Sequence, residues 1–116
     1  MLPEDSVYGV WPMSGEVDLM EARGNDPHTY PNGGRDTVIS TLHWGLGSST
    51  DMFQLTTQQH SLRRSDYSQG YHKYGMEWSE KYLYTFVDNR LMQVLSVGFG
   101  KVNMWTRSGL GKKGYV

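Results

Sequence analysis

The 116-residue chain carries 11 Lys and Arg against 12 Asp and Glu, a formal net charge of −1, with no cysteine. That length supports one domain with a real core but not two. With no basic run longer than Lys112-Lys113 there is no electrostatic footprint for nucleic acid or an acidic membrane surface, no disulfide can form, and no apolar run reaches the ~20 residues of a membrane span. No cofactor and no specific protein partner are predicted. The 4 Trp and 8 Tyr outweigh a modest aliphatic content, a balance that suits a β-protein able to stack on flat apolar ligands.

Met1 to Ser6 is acidic and lacks an apolar h-region, so this chain shows no signal peptide. The informative segment follows. Ser14 to Glu21 reads Ser-Gly-Glu-Val-Asp-Leu-Met-Glu, with three carboxylates, Glu16, Asp18 and Glu21, close together. On a strand, Glu16 and Asp18 share a face and Glu21 would point the other way. One extra residue, a β-bulge near Leu19-Met20, returns Glu21 to the carboxylate face. Two other readings exist. On a helix Glu16 and Glu21 would stand about 140° apart as solvated charges. An oxygen-only metal site normally draws on turn carbonyls and a glycine-containing loop, which the octet lacks. Pro12 and Gly15 before the segment, and Gly24-Asn25-Asp26-Pro27 after it, leave room for about two helical turns and favour a strand over residues 16–22. Paired carboxyls on one strand face are the equipment of retaining glycoside hydrolysis, which needs them roughly 5–5.5 Å apart.

Asn25 to Arg35 reads as a loop rich in Asn, Pro and Gly. Asp36 to Trp44 alternates as a strand, with Val38, Ser40 and Leu42 on one face and Thr37, Ile39, Thr41 and His43 on the other. Gly45 to Asp51 is a loop, and residues 52–69 carry no clear pattern. Tyr71 to Trp78 and Tyr82 to Val87 read as strands, and the Asp88-Asn89 turn leads into a further strand, Arg90 to Leu95. From Ser96 onward glycine and lysine dominate, and residues 97–116 are expected to be frayed.

The octet and its flanks, Trp11-Pro12-Met13-Ser14-Gly15 and Ala22-Arg23-Gly24-Asn25, resemble the active-site strand of glycoside hydrolase family sixteen, whose bulged pattern is Glu-x-Asp-x-x-Glu. The laminarinase-like branch is the nearest in character, especially its fungal endo-β-1,3-glucanases. Thr41-Leu42-His43-Trp44-Gly45 is similar to the family's next inner strand, and Tyr74-Gly75-Met76-Glu77-Trp78 with Tyr82 to Asp88 is similar to a later hairpin. The resemblance implies an all-β, concanavalin-A-like jelly-roll sandwich, incomplete here, with residues 1–116 a central fragment lacking upstream and closing strands. It implies retaining endo-hydrolysis of β-1,3-glucan or mixed-linkage β-1,3/1,4-glucan, outside the cell or in the cell wall. Relatives often carry a structural calcium whose ligands lie outside the matched region, so no metal is expected.

The same resemblance assigns roles. Glu16 would be the nucleophile, Glu21 the general acid/base, kept protonated by partial burial and nearby charge, and Asp18 their pKa and orientation partner. Trp11 would line the sugar groove, with a core plug as its plain alternative. Arg23 and Asn25 could bond sugar hydroxyls, and His43 could bond Glu21 or a substrate hydroxyl. His28, His60 and His72 read as surface residues, the Arg63-Arg64 pair as solvated, Trp44 as core, and Trp78, Tyr82, Tyr84 and Phe86 as sheet packing. Two competing functions use the same fold. One is a non-catalytic β-glucan-binding module, whose members have generally lost the glutamates retained here. The other is a glucan transglycosylase.

Overall fold

The computed structural model describes residues 1–29 and 33–96; the tail expected to be frayed, residues 97–116, lies outside the described residues. Among the described residues, six strands form two antiparallel meanders. The first sheet orders β1 (Glu16–Ala22), β2 (Thr37–His43) and β3 (Thr57–Ser61), and the second β4 (Tyr74–Trp78), β5 (Tyr82–Val87) and β6 (Arg90–Ser96). Two short 3-10 turns, Ser48–Thr50 and Phe53–Leu55, join β2 to β3.

β2 is central in its sheet and obeys the expected alternation. Val38, Ser40 and Leu42 turn toward the second sheet, and Leu42 joins Val17, Trp44 and Leu83 in the core between the layers. Leu19, Met52, Met76 and Leu95 pack around that cluster. Burying each of the large apolar side chains contributes about 1.5–3 kcal/mol, which is what holds the sheets face to face. Gln93 of β6 crosses the interface and donates to the Ser40 carbonyl at 3.4 Å. Trp44 is core, as its sequence suggested, with its indole N–H donating to the Thr56 hydroxyl at 3.0 Å.

Two expectations need correction, and one segment gains an element that its sequence did not show. Residues 52–69, left without a pattern, supply the whole of β3, which pairs with β2 from Thr37↔Ser61 to Thr41↔Thr57. The fourth strand begins at Tyr74 rather than Tyr71, because residues 72 and 73 are tied instead to the β5–β6 turn. There Asp88, at φ 53°, accepts from the Lys73 N–H at 2.9 Å and bonds the His72 ring at 2.8 Å. Trp78 is not sheet packing, since 62% of it is exposed, and Tyr82 and Tyr84 lie on the outer face, stacked at 5.9 Å.

Candidate active site

The register between β1 and β2 runs Glu16↔His43, Val17↔Leu42 and Asp18↔Thr41, then Glu21↔Ile39. Three steps on β1 therefore face two on β2, and the bulge falls between Asp18 and Glu21, at Leu19-Met20. Because His43, Thr41 and Ile39 are spaced by two, their partners Glu16, Asp18 and Glu21 all lie on one face of the sheet. That face is turned away from the second sheet, since Val17 and Leu42 point the opposite way into the core. Without the extra residue Glu21 would be aimed at the buried layer. Leu19 instead packs against the core while Met20 is 42% exposed, so the apolar pair absorbs the irregularity.

Each carboxylate meets a different partner. The Trp11 indole N–H donates to Glu16 Oε2 at 2.6 Å. The Thr41 hydroxyl donates to Glu21 Oε2 at 3.2 Å. His43 Nε2 stands 3.4 Å from Asp18 Oδ2, and its Nδ1 lies 2.6 Å from Asp51 Oδ2. His43 thus serves Asp18 and not Glu21, whose partner is the threonine one register position away. Trp11 is 41% exposed and its ring lies 5.5 Å from that of His43, which rules out the core-plug alternative.

Burial falls differently from expectation too. Glu21 is exposed, whereas Asp18 is half-buried. Burial raises the Asp18 carboxyl above its ordinary value, and the negative charges of Glu16 and Glu21 add to the effect against an opposing pull from His43.

Arg23 and Asn25 follow the strand as exposed residues. Arg23 borders a small cleft shared with Glu21, Gly33, Gly34 and Ile39. Asn25 shapes the cleft through its backbone, its carbonyl accepting from the Arg35 N–H at 2.9 Å beneath Gly34, where a Cβ would collide with that carbonyl. Of the other histidines, His28 is exposed as read. His60 and His72 are half-buried and engaged, by the Tyr67 hydroxyl at 2.6 Å and by Asp88. Glu16, Asp18 and His43 bring ligand atoms within 4.8 Å of one another, the spacing of a cation site. The trio offers three ligand atoms, two of them carboxylate oxygens, against the 6–8 oxygens that calcium takes.

Three contributors escaped the sequence. Thr41 was placed on the right face without a task. Phe53, whose ring stacks on His43 at 5.4 Å, and Asp51 lie in a segment with no periodic signal.

The sequence profile described as Glycosyl hydrolases family 16 matches residues 5–108. Over 111 residues the chain is 31% identical to a beta-1,3-glucan-binding protein of Penaeus monodon, covering 96% of this chain and 29% of that protein. It is 36% identical over 90 residues to glucan endo-1,3-beta-glucosidase A1 of Niallia circulans, covering 78% of this chain and 12% of that one. Among solved structures, the laminarinase catalytic domain of Thermotoga maritima matches with a TM-score of 0.57 at 29% identity, covering 74% of this chain and 31% of that chain. The chain spans less than a third of the length of each of these relatives. The expected jelly-roll architecture is borne out, with this chain covering part of the domain.

Proposed function

The chain belongs to glycosyl hydrolase family 16, and on that premise we propose that its β1 face is the site of a retaining endo-β-glucanase acting on β-1,3-glucan or mixed-linkage β-1,3/1,4-glucan. The observation that carries this reading is the bulge, which sets Glu16, Asp18 and Glu21 on one outward face. A Glu16 carboxylate oxygen attacks the anomeric carbon while Glu21 passes its proton to the departing glycosidic oxygen, leaving a glycosyl-enzyme. Glu21 then takes a proton from water, whose oxygen attacks the same carbon and releases Glu16. Trp11 orients Glu16 through its N–H and offers its exposed ring to the sugar. Asp18 lies between the two glutamates on the same face, where its charge and its contact with His43 shape their electrostatic surroundings. Arg23, Asn25 and His43 flank the carboxylates as contacts for substrate hydroxyls. Two carboxyl groups supply both nucleophile and acid, so the chemistry calls for no cofactor.

The reaction belongs outside the cell or in the cell wall, where such glucans are laid down, and residues 1–116 are part of the catalytic domain. The test is hydrolysis of a soluble β-1,3-glucan and of a mixed-linkage glucan, read as new reducing ends. Glu16→Gln and Glu21→Gln should each remove most turnover, and a variant with near-normal rates would refute the assignment. Chain-length analysis separates hydrolysis from transglycosylation, because transfer alone makes longer products. The Penaeus monodon relative, matched over nearly the whole chain, favours a second reading, glucan binding without cleavage. Unaltered glucan recovered from a complex with the wild-type protein would decide for it.

A further inference from the structure

His43 is held at more points than a substrate contact needs. Its Nδ1 lies 2.6 Å from Asp51 Oδ2, Phe53 stacks on the ring with planes 26° apart, and Trp11 leans against it. Asp51 is itself fixed. Its side chain is only 6% exposed, and its other oxygen accepts from the backbone N–H groups of Trp44 and Phe53, both at 3.2 Å. A carboxylate with its acceptors aimed at backbone donors and at Nδ1 asks that Nδ1 carry the hydrogen. The neutral ring then turns a lone pair at Nε2 toward Asp18 Oδ2, 3.4 Å away. Two acceptors face each other comfortably only with a proton between them.

We propose that Asp51 is a positioning residue of this site, fixing His43 as the Nδ1–H tautomer so that Nε2 and Asp18 share one proton beside Glu16. The functional consequence rests on the β-glucanase reading; the geometry does not. The charged groups around the pair are Glu16 and Glu21 on β1 and Asp51 in the loop after β2. When Glu16 forms its covalent bond to sugar it loses its negative charge, and the Asp18–His43 pair is then free to redistribute its proton. No new bond is needed. Either Asp18 donates O–H to Nε2, or His43 donates Nε2–H to the Asp18 carboxylate. Burial and the two glutamates raise the Asp18 carboxyl in the direction that favours the first arrangement.

The experiment is a nitrogen-15 NMR titration of the imidazole of His43 in the wild-type protein and in Asp51→Asn, beside the pH profile of glucan hydrolysis. The proposal expects Nδ1 to be the protonated nitrogen of the neutral wild-type ring. In Asp51→Asn the amide N–H₂ can face the ring instead, so the tautomer should reverse to Nε2–H. The variant should lose kcat on the order of tenfold with KM little changed, and its acidic limb should move. Asp51→Glu, which restores a carboxylate, should recover part of the rate and the wild-type tautomer. A neutral wild-type ring protonated at Nε2 would overturn the proposal without any variant being needed. So would an Asp51→Asn protein with unchanged tautomer and pH profile. If the wild type cleaves no glucan but its ring is the Nδ1–H tautomer, the β-glucanase reading fails and the clamp stands. If Glu16→Gln abolishes cleavage while the tautomer is wrong, the clamp fails alone.

Discussion

Each sheet turns an outer face with acidic and aromatic side chains to solvent, and the two faces treat their carboxylates in opposite ways. On the second sheet Glu77 accepts from the Tyr82 hydroxyl at 2.6 Å and from the Tyr84 hydroxyl at 2.7 Å, one phenol per oxygen. Those bonds, Tyr82's first, hold its carboxyl below the ordinary value, and both phenols are pushed up in turn. On the first sheet Asp18 shares its face with two glutamates and has an imidazole at 3.4 Å as its side-chain partner, and its carboxyl is raised. Similar residue types therefore favour the anion in one place and disfavour it in the other. What separates them is surroundings: Glu77 is exposed and takes two phenol donors, whereas Asp18 is half-buried beside two other carboxylates.

Mutation should break that comparison most sharply at the glutamates. Glu21→Gln is expected to lower kcat about 10²–10⁴-fold, the usual contribution of a general acid/base, while Glu77→Gln leaves hydrolysis unchanged. Initial rates on a soluble β-glucan check both. Next in size is the layer that joins the two faces. Leu83→Ala empties a side chain only 2% exposed and should cost about 2–5 kcal/mol in urea unfolding.

A smaller effect has opposite signs on the two faces. Asp18 has a folded pKa above its ordinary 3.8, so its stabilising contribution is full below that pH and is lost as pH rises through the folded value. Glu77 lies below its ordinary 4.5, so its contribution is present above that pH and is lost as pH falls through the folded value. Thermal unfolding across acidic pH should show Asp18→Asn gaining on the wild type as pH rises. Glu77→Gln should show a deficit at neutral pH that closes on acidification. Smallest is Tyr84→Phe, which removes one of the two donors on Glu77 and should reproduce part of the Glu77→Gln deficit in the same scans.

The sequence was most readable where function or burial imposes a period. The carboxylate spacing required a bulge, the Leu19-Met20 pair marked its place, and the register of β2 puts it there. β2 was legible because the core claims one of its faces, and the Asp88-Asn89 turn because few other residues tolerate that backbone. β3 was not, for a physical reason. Among the described residues it pairs only with β2, and every residue of Thr57–Ser61 is exposed or half-buried, so nothing selects for apolar alternation. Asp51 was invisible for another. It reaches His43 only because the Ser48–Thr50 turn folds the chain back, and the Met52 N–H bonds the Trp44 carbonyl at 2.9 Å. The burial of Asp18 in place of Glu21 had no local signal either. It follows from position along β1, whose last three residues, Met20 to Ala22, are all exposed.

The most direct test of the central claim is to trap the sugar on the protein. An activated 2-deoxy-2-fluoro β-glucoside oligomer, which forms the glycosyl-enzyme but leaves it slowly, would be incubated with the protein and the adduct located by peptide mass spectrometry. The account predicts one added glycosyl group on the carboxylate of Glu16. An adduct on Glu21, or glucan hydrolysis proceeding with product of inverted anomeric configuration and no adduct, would contradict it.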